Sequence, residues 1–177
     1  NGKYAKYEAQ YFLMTLYYNY ENNPHKADEY ASLLSDEFPD NPTFQRWKGR
    51  IAVKKGDYNS ASEIFLNMLE KSKKGLTGYN YKRANREAHY YIGLNYFNDN
   101  KLDSSYHNFS ECERISRIVD EEESGFLVNA VLYQGMIYDL QGRRNEAKRK
   151  YEDVLEMDEY LNSYNLAEAY LEKAFSR

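Results

Sequence analysis

Three histidines, one cysteine and several acidic runs are the residues whose chemistry could be catalytic or metal-binding, and their spacing argues against both. His25, His89 and His107 are dispersed along the chain. None stands with a serine and an aspartate in the order of a nucleophilic triad, and there is no nucleophile elbow or glycine-rich phosphate loop. His107 and Glu111 lie one helical turn apart and could supply two metal ligands. A catalytic metal usually needs a third protein ligand, so the pair reads as a solvated couple on a helix surface. His89 falls on the packing side of its helix and reads as a core-edge residue. Cys112, three residues after Phe109, reads as a small core hydrophobe. As the single cysteine, it excludes an internal disulfide and a cysteine-based metal cage. Acidic residues gather mostly in runs such as Glu121-Glu122-Glu123, which mutual repulsion keeps in water. No catalytic, metal or cofactor residue is assigned, and the chain is expected not to be an enzyme.

The elements that carry these residues are helices. The chain has 177 residues, 42% of them hydrophobic and 29% charged, with a mean hydropathy of -0.92. That is enough apolar material for a continuous core under a well-solvated surface. Three prolines and nine glycines leave room for long uninterrupted helices. Twenty tyrosines against one tryptophan supply rings that pack like apolar groups yet keep a polar tip near water. The longest apolar stretch, Tyr11 to Tyr18, carries Thr15 and is less than half of the roughly 18 residues of a membrane span. The chain is therefore expected to be soluble, with a cytoplasmic or periplasmic setting left open. No signal-peptide pattern is present. Asn1 stands where a methionine would, as in a processed chain or a piece of a longer one. A net charge of -4 and a pI near 5.5 argue against nucleic acid, which needs a basic footprint.

The strongest signal is an internal repeat. From Gly49 as anchor, Gly56, Tyr58, Ala61, Phe65 and Leu69 follow at steps of seven, nine, twelve, sixteen and twenty. From Gly135 the same steps give Gly142, Arg144, Ala147, Tyr151 and Leu155, and from Gly93 they give Asn100, Leu102, Ser105, Phe109 and Glu113. A fainter copy runs from Thr15 through Asn22, Pro24, Ala27, Ala31 and Ser35. Small residues on two neighbouring helices let their backbones approach, so Gly49 is expected to face Ala61, Gly93 to face Ser105 and Gly135 to face Ala147. Gly56, Asn100, Gly142 and, more weakly, Asn22 are placed to take the left-handed conformation that ends a helix. Phe65, Phe109 and Tyr151, one turn past the small residue, should fill the core.

This pattern resembles the tetratricopeptide repeat, whose unit is about 34 residues. The second copy, Phe44 to Leu69, matches best, and Phe38-Pro39-Asp40-Asn41-Pro42 resembles the break between repeats. Thr15 in place of glycine and Ser105 in place of alanine depart from the family pattern, as does Trp47 for the displaced early aromatic. The resemblance implies an all-α fold: an α-solenoid of antiparallel helix pairs, about four repeats, with a C-terminal capping helix. Repeats are expected at 3–40, 42–73, 82–118 and 125–158, with the cap at 160–176, all in one domain spanning 1–177. Helices are expected over 3–21, 25–38, 42–55, 58–72, 82–98, 102–118, 125–141, 144–157 and 160–175. The anchors lie 34, 44 and 42 residues apart, so two junctions carry insertions, near Lys71 to Tyr81 and near Ile115 to Gly125. The first is basic (Lys71, Lys73, Lys74, Lys82, Arg83, Arg86) and the second acidic (Asp120 to Glu123). Adjacent repeats would bring these charges within reach of each other.

In the resembled family the first helix of each pair lines a concave groove. The corresponding positions are Phe12, Leu16, Asn19 and Tyr20, then Arg46, Arg50, Val53 and Lys54. Tyr90, Leu94, Phe97 and Asn98 follow, and last Leu132, Met136, Asp139 and Leu140. Ten of these sixteen are apolar or aromatic, which suits an apolar or amphipathic segment rather than a clamped terminal carboxylate. The resemblance thus implies a protein-protein interaction scaffold whose partner is a protein or peptide, with no nucleic acid and no membrane span. The alternatives are a self-assembly module that forms a homo-oligomer and, further off, a metal protein or enzyme using His107.

Overall fold

The structure, a computed structural model, describes residues 2–177 apart from the side chain of Lys3. Nine helices and no strand occur among the described residues. They are α1 (Gly2–Asn19), α2 (Pro24–Glu37), α3 (Pro42–Lys54), α4 (Tyr58–Lys73), α5 (Lys82–Asn98), α6 (Leu102–Val119), α7 (Gly125–Leu140), α8 (Arg144–Leu155) and α9 (Ser163–Glu172).

Their ends follow from local chemistry. Asn41 ahead of α3 accepts the backbone N–H groups of Thr43 and Phe44 at 2.9 and 3.3 Å, with Pro42 at the first helical position. Asp57 accepts from Ser60 at 3.1 Å ahead of α4, and Asn23 accepts from Lys26 ahead of α2. These side chains satisfy N–H groups that a helix start leaves unpaired. All four residues expected to close a helix in the left-handed region do so: Asn22, Gly56, Asn100 and Gly142 have φ of +48°, +79°, +60° and +73°. After three of them the next backbone N–H reaches back over five residues, from Asp57 to Ala52, from Lys101 to Tyr96 and from Arg143 to Tyr138, at 2.8–2.9 Å. The last helix is shorter than the expected 160–175. Leu161, at φ +54°, holds back its start, and Lys173 is already extended.

The chain gathers into two compact units, residues 1–81 and 82–177. In the first, α1 to α4 pack each on the next; Met14, Ala27, Ala31, Leu34 and Ile51 form the core of α1 to α3, and α4 buries Ala61, Phe65 and Met68. The end of the first insertion folds back on this unit. Tyr79 is 4% exposed, its hydroxyl donates to the Asp40 carbonyl at 3.2 Å, and Lys71 pairs with the Asp40 carboxylate at 2.9 Å.

In the second unit α5 to α9 also pack in sequence, and α5 meets α7 while α7 meets α9. The first helices of successive pairs thus form one layer, and α9 takes the place of the next first helix in that layer. This is how an unpaired helix closes a repeat stack. One core joins Phe97, Phe109, Cys112, Ala130 and Ile137, and another joins Leu127, Val131, Leu132, Tyr151 and Ala167.

The anchor glycines are crowded by aromatic rings. A Cβ on Gly49 would stand 2.7 Å from the Phe65 ring, one on Gly93 3.0 Å from Phe109 and one on Gly135 2.5 Å from Tyr151. The aromatic one turn beyond the small residue is therefore the nearest group that demands glycine at these anchors. Ser105 does meet Gly93, its hydroxyl donating to the Gly93 carbonyl at 2.9 Å.

Candidate functional site

The expected groove residues divide between the two units. In the first, Phe12 is 63% and Tyr20 81% exposed, with Leu16 half-buried between them and Asn19 exposed. Arg46, Arg50 and Val53 on α3 are half-buried, and Lys54 is exposed. The cations lie over aromatic rings, Arg50 at 5.1 Å from Trp47 and Lys54 at 4.3 Å from Tyr18. Trp47 also meets Tyr18 edge-on at 5.2 Å and donates its indole N–H to the Tyr11 hydroxyl at 3.2 Å. Tyr11, Tyr18 and Trp47 are thus a ring cluster beside the expected groove positions. Its signal in the sequence is the density of aromatics between Tyr4 and Tyr20. Tyr4, Tyr7, Phe38, Asn41 and Phe44 line a cavity of about 360 Å³ in the same unit.

In the second unit the expected residues are largely covered. Leu132 is 3% exposed and belongs to the core under α8 and α9, because α9 takes the place of the next first helix and closes over it. Phe97 is 7% exposed. Tyr90, Leu94, Met136 and Leu140 are half-buried in the same cluster, and Asn98 is exposed. Tyr90 meets Phe109 at 5.8 Å and Phe126 at 5.2 Å, and burial holds its phenol above the usual range. Tyr133 completes the cluster, stacked on Phe109 at 4.9 Å and edge-on to Phe97 at 5.1 Å.

What covers Phe97 is the segment that follows α9. The Phe175 ring lies 6.1 Å from Phe97 and 5.3 Å from Tyr170, and the Arg177 guanidinium lies 4.8 Å over the Phe97 ring and donates to the Phe97 carbonyl. Asp139, on α7, sits at the centre of the attachment. Its side chain is 1% exposed and pairs with Arg144 at 3.0 Å. It also accepts the Tyr151 hydroxyl and the Phe175 backbone N–H, each at 2.8 Å. Burial, then the hydrogen bond to Asp139, raise the Tyr151 phenol above its ordinary range. Arg144 donates onward to the Leu171 carbonyl at 2.8 Å.

The remaining titratable candidates lie apart from this attachment. Glu111 pairs with Arg114 at 2.8 Å, and that hydrogen bond holds its carboxyl below the usual range, while His107 is exposed. His89 Nδ1 lies 2.9 Å from the Asn108 side-chain oxygen. Cys112 is fully buried, and burial pushes its thiol up to about 12. Among the described residues no group of three or more His, Cys, Asp or Glu is placed to hold a metal ion. No described helix is long and apolar enough to cross a membrane.

No family model and no curated protein matches the sequence. Solved structures match the fold. The apo form of RapI is similar with a TM-score of 0.69 and 18% identity, over 96% of this chain and 58% of that one; the chain therefore spans little more than half of RapI. A putative kinesin light chain from Podosopora anserina, with nearly identical TPR-like repeats, gives 0.67 at 13% identity, over 94% of this chain and 83% of that one. MamA gives 0.58 at 15% identity, over 87% and 88%. At such identities the likeness is one of fold, and it agrees with the repeat arithmetic: the chain has the tetratricopeptide-type helical-repeat fold.

Proposed function

We propose that the chain is a non-enzymatic protein-interaction scaffold that takes an apolar or amphipathic polypeptide segment on the first-helix face of its repeats. One observation carries the reading. Phe12 and Tyr20 remain 63% and 81% exposed on or just past the first helix, whereas Phe97, another of the expected groove residues, is covered by polypeptide. Large exposed apolar side chains gain roughly 25 cal/mol per Å² of apolar area when covered. Anchors one turn apart, as Phe12 and Leu16 are, suit the face of an amphipathic helix. The half-buried Arg46 and Arg50 and the exposed Lys54 would orient an acidic flank of the same ligand.

Photocrosslinking in the native cell tests this. A benzoyl-phenylalanine replacing Phe12 should capture a distinct protein, and one replacing the exposed His25 on α2 should not. The same capture pattern at both positions would refute a face-specific site. The alternative reading, self-assembly, draws on the exposure of Tyr4 together with Phe12 on one helix, 74% and 63%. It requires the mass from light scattering to rise with concentration and to stop rising in Phe12→Ala/Tyr20→Ala.

A further inference from the structure

The segment after α9 is held in the manner of a bound peptide. Lys173 is extended, with φ of -130° and ψ of 124°. Of residues 173–177 only Phe175 is half-buried, and the other four are exposed. One contact reads its backbone, Asp139 accepting the Phe175 N–H at 2.8 Å, and Arg144 fixes the point of departure by donating to the Leu171 carbonyl in the last turn of α9 at 2.8 Å. Two more read its side chains, since the Phe175 ring and the Arg177 guanidinium both lie against Phe97.

The receiving side is built in advance of the segment. Asp139 is 1% exposed, and Arg144 and the Tyr151 hydroxyl already hold its carboxylate. Both of these partners belong to α8, so they stay when the segment leaves. A buried carboxylate turned toward a backbone N–H recognises main chain whatever its sequence, and in a site shielded from water such a charge-assisted bond is strong. The aromatic wall of Phe97 and Tyr170 selects a ring, and the open side of Phe97 selects a planar cation. With one half-buried side chain and few bonds, the segment belongs to the low end of local stability, where opening is easy.

We infer that the trough formed by Phe97, Asp139, Arg144 and Tyr170 is a binding site for an extended polypeptide segment with an aromatic residue followed two positions later by a basic one. Residues 173–177 are its resident occupant, and a partner segment of the same chemistry displaces them. This rests on the interaction-scaffold reading above and adds to it a site in the second unit with a ligand chemistry of its own.

The test uses a fluorescein-labelled, amidated peptide of residues 171–177 and the full chain, followed by anisotropy. The chain carrying Phe175→Ala and Arg177→Ala should bind the peptide saturably, and the unaltered chain at least tenfold more weakly, because its own segment competes. A peptide with alanine for Phe175 should bind the double variant at least tenfold more weakly than the native peptide does. Both substitutions lie outside every helix, so helicity by circular dichroism should not change. No saturable binding to a helical double variant, or equal affinity for the two peptides, overturns the inference. So does a mass that doubles with concentration in the unaltered chain but not in the double variant, since the segment would then occupy a neighbouring copy. Loss of peptide binding with face-specific crosslinking at position 12 intact removes this inference alone. Loss of that crosslinking with peptide binding retained instead removes the broader reading at the first repeat.

Discussion

The Tyr151 ring lies so close to Gly135 that a Cβ on the glycine would stand 2.5 Å from the ring's Cε1 atom. Tyr151 cannot readily give way, because it is fully buried and its hydroxyl is tied to Asp139 at 2.8 Å. Gly49 with Phe65 and Gly93 with Phe109 repeat the arrangement. In the first copy the pair is exchanged in size: Thr15 takes the anchor and Ala31, sixteen residues on, takes the aromatic's place. Overpacking a close crossing costs about 1–3 kcal/mol. Gly49→Leu should therefore lower the urea midpoint, with an unchanged midpoint placing Gly49 outside the crossing. The first copy also predicts that Gly49→Thr is better tolerated beside Phe65→Ala than alone, a coupling that a double-mutant cycle measures.

The helices and their ends were legible because their signals are local. A capping Asn41 or Asp57 and a left-handed Gly56 or Gly142 act within a few residues. The covering of the second unit was not legible. Phe175 and Arg177 follow no repeat step, and the turns of α9 run into them without a proline or glycine to mark the end. Their partners Phe97 and Asp139 lie 78 and 36 residues away from Phe175, at a separation that periodicity does not reach. Leu132 stands at a groove offset, yet α9 covers it, since the offset is blind to which neighbour stands opposite.

Exposure separates two phenylalanines of the expected groove, Phe12 three residues before its anchor and Phe97 four after its own. Phe12→Ala removes a ring that is 63% exposed, so the thermal midpoint should hardly move while partner capture weakens. Phe97→Ala empties a site that is 7% exposed and should cost about 3 kcal/mol or more of stability. Arg46→Ala should weaken capture far less than Phe12→Ala, with a modest effect of salt. Capture that vanishes in moderate salt and survives Phe12→Ala would assign the interaction to the charged edge instead.

Acid stability should report Glu113. Burial alone would raise its carboxyl, but the bonds from Gln134 at 2.8 Å, Arg117 at 2.9 Å and Lys150 at 3.2 Å outweigh that and leave it below the ordinary range near 4.5. In that window the unfolded chain takes up a proton that the folded chain does not, so the stabilisation is present above about pH 4.5 and is lost as the pH falls through the lower folded value. Midpoints measured from pH 6 down to pH 3 should fall less steeply in Glu113→Gln than in the unaltered chain. Parallel acid limbs would mean that the carboxylate contributes nothing to folding.

The two charged insertions yield the sharpest contrast between ion pairs. Arg86, at the start of α5, pairs with Asp120 just beyond α6, and the two side chains are 9% and 10% exposed. The Arg86 guanidinium also lies 4.7 Å over the Phe126 ring, and the neighbouring Arg83 donates to the Val119 carbonyl at 3.0 Å. Lys74, from the same basic stretch, pairs with Glu70 at 2.6 Å, but both of those side chains are more than 60% exposed. An exposed pair contributes about 0–1 kcal/mol. Breaking a buried one strands the partner's charge away from water and costs about 3–5 kcal/mol. Asp120→Ala should therefore lower the urea midpoint strongly and at any salt concentration, and Lys74→Ala should leave it nearly unchanged. Replacing both members with apolar residues, Arg86→Met with Asp120→Leu, should restore much of the loss, because no buried charge then remains. If Asp120→Ala proved as mild as Lys74→Ala, water would have to reach Arg86, and the junction between α6 and α7 would be open rather than closed by this pair.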